Sequence, residues 1–318
     1  MKIACLLTPL SDHNLSLASQ IGVEEIVATF PGTDLGVLFD LRKRVEHFGL
    51  RLTTIERFIP HHKIVHGLPG ADEQIAVIQQ LIRNMGEAGL TTLCYNWMPS
   101  EDWNRTSVTT RERGGALVTE FNAADKSYVP HGSDARSEKH TSRDELWNNL
   151  KTFQEAVVPV AEAAGINLAI HPDDPPLDEL NGQPQIMSTP EAVKEAARLV
   201  PSERNGICFC QGTFASRGDI DIPKAIGELG DLIKFIHFRD VMGEKEHFRE
   251  TFHDNGKTDM AACWRAYEKA GLKDIPIRPD HVPSMTGDSN EFPGYEMQGR
   301  LFAVGFMKGL AAGYSPEN

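Results

Sequence analysis

Basic residues are in short supply in this sequence: 32 lysines and arginines stand against 45 aspartates and glutamates, a formal net charge of -13. So acidic a surface repels nucleic-acid phosphates and anionic lipid, which excludes a nucleic-acid or membrane partner held by charge. An anionic small substrate would need a locally basic pocket. Cysteines are few and odd in number, Cys5, Cys94, Cys208, Cys210 and Cys263, and do not make the even, regularly spaced set of a secreted disulfide framework. A reducing cytoplasm is the expected setting. No stretch reaches the roughly 20 apolar residues of a membrane span, and the opening MKIACLLTPLSDHN is too weakly apolar for a signal peptide. GxGxxG and Walker patterns are absent, so no nucleotide cofactor is implied.

What is present suits a sizeable core. Hydrophobic residues make up 40% of the 318, enough for two ordinary domains or for one large α/β barrel. Eight short β-like runs follow one another: KIACLL (2–7), EEIVATF (24–30), LRLTTIE (50–56), TTLCYN (91–96), NLAIHP (167–172), NGICFC (205–210), LIKFIHFRD (232–240) and IPIRPDH (275–281). Helical patterns with apolar residues three and four apart lie between most of them, at 35–49, 73–89, 143–165 and 189–200. The last opens on Thr189, a good N-cap, followed by Pro190 at the first helical position. Alternating strands and helices predict a parallel sheet. Eight such units favour closure into a single (β/α)8 TIM barrel spanning 1–318, with a doubly wound open sheet as the other arrangement.

The segment 97–142 breaks the rhythm, being polar and weakly patterned, and it follows the fourth strand on the face where such a barrel carries its active site. A lid over the site and a plain surface insertion are both compatible with it.

Chemistry in this fold is built at the carboxyl ends of strands. There the fifth strand brings His171, the sixth Cys210, the seventh His237 and the eighth Asp280. Each alone is more often a packed residue than a ligand. Four at matching positions are what one divalent ion with nitrogen, sulfur and oxygen ligands requires. Alternation places Cys208 one layer deeper than Cys210, as packing, and turns Arg239 and Arg278 inward, where they could fork onto a substrate carboxylate or pair with nearby aspartates. His253, in FHDNG, could meet substrate hydroxyls or mark a turn. Asn96 and Trp97, together with Arg105, His61 and His62, follow strands on the correct face and are candidates for the substrate's surroundings, while Asp173 and Asp174 could orient His171.

AIHPDDPP, the cysteine of CFCQGT, IHFRDV followed by FHDNGKTDM, RPDHVP and FPGYEMQGRL occur in the order seen in mannonate dehydratases, and TTIERFIPHHKIVHGLPG and CYNWMPSEDWNRT look like that family's amino-terminal half. The sequence thus resembles this family over nearly its whole length. The resemblance implies a TIM barrel of the xylose-isomerase-like superfamily, a Mn2+ or Fe2+ ion on His171, Cys210, His237 and Asp280, and His281 and Tyr295 as catalytic residues. It also implies loss of water from D-mannonate to give 2-keto-3-deoxy-D-gluconate in hexuronate (glucuronate) catabolism, a cytoplasmic location and a homo-oligomer, a dimer. A metal-dependent sugar isomerase or epimerase, or a dehydratase of another sugar acid, on the same barrel is the alternative enzyme. Cys210 speaks against the isomerase, whose metal sites more typically use carboxylates and histidines alone. A catalytically silent binding barrel is the remaining class.

Overall fold

The computed structural model describes residues 1–99, 103–125, 127 and 139–313. All eight expected runs form strands: Lys2–Leu6, Glu25–Ala28, Arg51–Glu56, Thr92–Asn96, Asn167–His171, Asn205–Cys210, Ile233–Phe238 and Pro276–Pro279. They pair in parallel, and the first strand pairs with the eighth, so the sheet closes into a barrel. Strands buried on both faces read as continuous apolar runs, which is why no polar alternation marks them in the sequence.

Alternation along each strand sorts the core into two. Inward residues Ala4, Leu6, Val27, Cys94, Ala169, Cys208 and Phe235 fill the barrel, while a larger cluster packs between the barrel and its helices. Helix Ala71–Glu87 supplies Ile78, Leu81, Ile82 and Met85, one stripe at three- and four-residue spacing. Helix Arg143–Ala164 starts with a capping box between Ser142 and Glu145 and stops at Gly165, whose φ of 72° costs glycine nothing. Helix Pro190–Arg198 is capped by Thr189, whose side chain accepts from the Ala192 amide. Among the described residues no helix is long and apolar enough to cross a membrane.

The segment 97–142 has more structure than its pattern suggests. Ser107–Arg111 and Leu117–Asn122 are antiparallel strands of a separate four-stranded sheet, completed by Val241–Glu244 and His247–Glu250 from beyond the seventh barrel strand. The first two pair with each other, but Leu117–Asn122 also pairs with His247–Glu250, more than a hundred residues away, which local periodicity cannot show. Residues 100–102, 126 and 128–138 of the expected lid lie outside the described residues.

Register slips by one residue between the sixth and seventh strands: Ile207 pairs with Ile233 but Cys208 with Phe235. Such a bulge re-aims the side chains beyond it. Gly206 sits beside it, where an added Cβ would lie 2.3 Å from the Leu232 carbonyl oxygen. The expected result for Gly206→Ala is a loss of about 1–3 kcal/mol in denaturant unfolding, the range for forcing an extra carbon into a packed site. An unchanged midpoint would show that the strands separate freely there.

Candidate metal centre

Register carries the strand-end residues to one point. Asn96 pairs with His171, Cys210 with His237, and His237 with Arg278. Donor atoms of His171, Cys210 and His237 consequently lie within 4.8 Å of one another. His171 Nδ1 donates to the Pro172 carbonyl at 2.6 Å, which fixes the ring and turns Nε2 to within 3.1 Å of His237 Nδ1. Asp280 Oδ2 lies 3.7 Å from that nitrogen and 3.9 Å from Cys210 Sγ. Two ring nitrogens, a sulfur and a carboxylate oxygen thus converge. Such a donor set fits a divalent transition ion.

The electrostatics agree. Burial alone would push the Cys210 thiol up, but Arg239 and His171 hold it well below the usual thiol range. Burial likewise works against charge on His171, yet the neighbouring Cys210 sulfur raises it to about 9. Asp280 stays ionised despite its burial, because the Arg278 guanidinium, and with it that of Arg239, stands beside it. Positive charge is drawn to this point.

Around the donors runs a closed network of ion pairs. The Arg239 guanidinium donates through Nε to Asp280 at 2.9 Å, through Nη1 to Glu250 at 2.9 Å and through Nη2 to Asp174 at 2.7 Å. Arg105 forks onto Asp174 at 2.9 and 3.0 Å and also reaches Glu250. Arg278 forks onto Glu56 at 2.9 and 2.6 Å and donates to Asp280 at 2.7 Å. These groups are almost wholly buried, so each charge depends on its partners. Four carboxylates face three guanidiniums here, and burial raises the Glu250 carboxyl to about 7 even against Arg239 and Arg105.

A small cleft, about 40 Å³ in volume, opens above the donors. Its lining includes Arg57, Asn96, Trp103, His171, His281 and Tyr295. His281 and Tyr295 rings stand 5.5 Å apart, and Trp103 meets His281 edge-on at 4.5 Å. The chain between them reverses through Gly294, φ 82°, where a Cβ would come within 3.2 Å of His281 Nδ1. That nitrogen is buried and has no hydrogen-bond partner among the described residues. Burial keeps His281 well below the ordinary histidine range and raises Tyr295 above the ordinary phenol.

Several expectations need correction. Trp97 faces away from the cleft, because side chains alternate after Asn96: its Nε1 donates to the Leu146 carbonyl at 3.1 Å and its ring packs on Phe153. His253 is fully buried outside the cleft, with Nε2 against the Phe238 carbonyl at 2.7 Å. Arg239 and Arg278 do point inward, but their forks are filled by Asp174, Glu250, Asp280 and Glu56, so neither is open to a substrate carboxylate. Arg105 is likewise an ion-pair residue, and Asp173 accepts the Met187 amide at 2.6 Å. Asn96 does line the cleft, with its side-chain oxygen 3.1 Å from His61 Nε2.

Some residues of the site had gone unnoticed. Glu56 ends the third strand, where the rule that picked out His171 and Cys210 applies equally, while Cys94 lies in the middle of the fourth, level with Ala169 and out of that rule's reach. Arg57 follows Glu56. Trp103 and Glu250 come from segments without a legible pattern.

Breaking a buried ion pair leaves a charge without compensation, at a cost of about 3–5 kcal/mol. Arg105→Ala, which leaves Asp174 and Glu250 to share the Arg239 guanidinium, should lose roughly that much in denaturant unfolding. A loss below about 1 kcal/mol, the scale of exposed pairs, would contradict the network's closure.

A model of the D-mannonate dehydratase (UxuA) family matches residues 12–136 and 133–317. Mannonate dehydratase of Oceanobacillus iheyensis is 34% identical over 295 residues, 86% of this chain and 84% of that protein. One from Streptococcus pneumoniae is 33% identical over 313 residues, 88% of this chain and 84% of the relative. The crystal structure of mannonate dehydratase from Streptococcus suis superposes with a TM-score of 0.90 at 32% identity, covering 99% of this chain and 95% of that one. D-psicose 3-epimerase, at 13% identity and TM-score 0.64 over 98% of this chain and 99% of its own, shares the barrel alone. With strand-end donors, fold and sequence in agreement, this chain belongs to the D-mannonate dehydratase family.

Proposed function

We propose that this protein removes water from D-mannonate to give 2-keto-3-deoxy-D-gluconate, in the cytoplasm, as a step of hexuronate breakdown. The observation that carries the reading is the meeting of His171, Cys210 and His237 donors beneath a cleft lined by His281 and Tyr295, in a chain of this family. Residues 1–318 act as one barrel unit, a homodimer by family likeness.

Dehydration poses two problems. The proton on the carbon next to the carboxylate is barely acidic, and the neighbouring hydroxyl leaves poorly as hydroxide. His171, Cys210, His237 and Asp280 would hold Mn2+ or Fe2+, which when bound supplies Lewis-acid stabilisation of the charge developing at the carboxylate. His281 and Tyr295 provide the positioned groups that take the C2 proton and protonate the departing oxygen. Trp103, edge-on to His281, excludes water from both. Asn96, anchored by His61, faces the same cleft and suits a sugar hydroxyl.

Recognition of the carboxylate falls to Arg57. It lines the cleft, with its guanidinium 4.7 Å over the Tyr295 ring. Both Arg57 and Phe58 have positive φ, 64° and 57°, a conformation costing about 1–3 kcal/mol per residue that persists where the surroundings demand it. Strain of this kind gathers where side chains must be aimed.

Metal-stripped protein supplied with D-mannonate should form the 2-keto-3-deoxy acid only when Mn2+ or Fe2+ is returned, and Cys210→Ala should lose roughly a hundredfold or more in turnover. Tight metal binding with no product from mannonate would transfer the assignment to another sugar acid or to an isomerisation. For Arg57→Ala the expected change is a KM raised roughly tenfold or more, the scale of one lost charged contact. An unchanged KM would remove Arg57 from the substrate's surroundings.

A further inference from the structure

A second set of metal-type donors lies directly below the first. Cys94 on the fourth strand, Cys208 on the sixth and His237 on the seventh bring a sulfur, a sulfur and a ring nitrogen within 4.8 Å of one another. All three are buried, and the two cysteines share their layer with the small residues Ala4 and Ala169. Both cysteines are free thiols. Cys94 also lines the cleft, so an ion that enters the upper site can reach this layer.

The two sets differ in softness. The upper one offers one sulfur among nitrogen and oxygen donors. The lower one offers two sulfurs and an imidazole, the composition that selects thiophilic ions, while manganese favours oxygen. We propose that Cys94, Cys208 and His237 form a distinct site for a thiophilic divalent cation such as Zn2+. On binding, both thiols lose their protons to solvent and two sulfur–zinc bonds form, with no change of oxidation state. His237 belongs to both sets, so the two sites adjoin through one imidazole and the barrel answers to two kinds of metal.

The test reads the ion's ligands and does not depend on the dehydratase assignment. Full-length, metal-stripped protein is loaded with one equivalent of Zn2+ and examined by X-ray absorption at the zinc edge. Two sulfur neighbours per zinc, at about 2.3 Å, are expected. One sulfur per zinc would put the ion in the Cys210 set and overturn the proposal. In Cys208→Ser the sulfur count should fall to one, and competition with a chelating dye should show Zn2+ affinity reduced roughly tenfold or more, with Mn2+ affinity held within about twofold. Equal Zn2+ affinity in the variant and the parent would also overturn it. If the variant fails to fold, as its melting curve would show, the absorption result on the unaltered protein still decides.

Discussion

One guanidinium holds the site together. Arg239, just past the seventh strand, donates at once to Asp280 beyond the eighth strand, Asp174 beyond the fifth and Glu250 in the side sheet. No neutral side chain could replace it, since three buried carboxylates at that spacing would otherwise repel one another in a medium of low dielectric. By fixing Asp280 it fixes one proposed donor of the metal site, and by fixing Glu250 it ties the side sheet to the barrel mouth. A planar fork with five donors suits this task; an ammonium does not.

From that anchor the division of labour follows. Candidate donors to the ion sit at or just past the ends of barrel strands, where the pairing of Cys210 with His237 and of His237 with Arg278 sets them side by side. Groups assigned to the substrate sit on the irregular stretches that follow: Arg57 and Phe58 after the third strand, His281 after the eighth and Tyr295 after a glycine reversal. His281 also has a positive φ, 41°, so the cleft wall is built from backbone that is costly to form. The stable barrel beneath can carry that cost.

How far the sequence reveals this depends on the range of the interaction. Strands and helices were legible because their patterns are local, and the four strand-end donors because ligand chemistry coincided with strand ends. Alternation within one strand would have told Trp97 from Asn96, had it been carried one residue past the strand. The partners of Arg278 and Arg239 were harder, because a fork that fits a carboxylate of a substrate fits one of the protein equally well. Glu56, which fills the fork of Arg278, stands 222 residues away. Trp103 and Glu250 gain their places through a sheet joining two distant segments, and no periodicity announces such pairing.

That side sheet and the Glu56–Arg278 pair bear on the order in which the protein is made. Closing contacts between residues so far apart in the chain is entropically slow, and local turns and helices form well before them. Emerging from the ribosome, the first five strands can associate before Arg239, Glu250 or Arg278 has been synthesised. Until then the carboxylates of Glu56 and Asp174 await their counter-charges. The eighth strand, Pro276–Pro279, is therefore the lock of the fold, and a translation product ending before it would carry three of the converging donors in a barrel that cannot close around them.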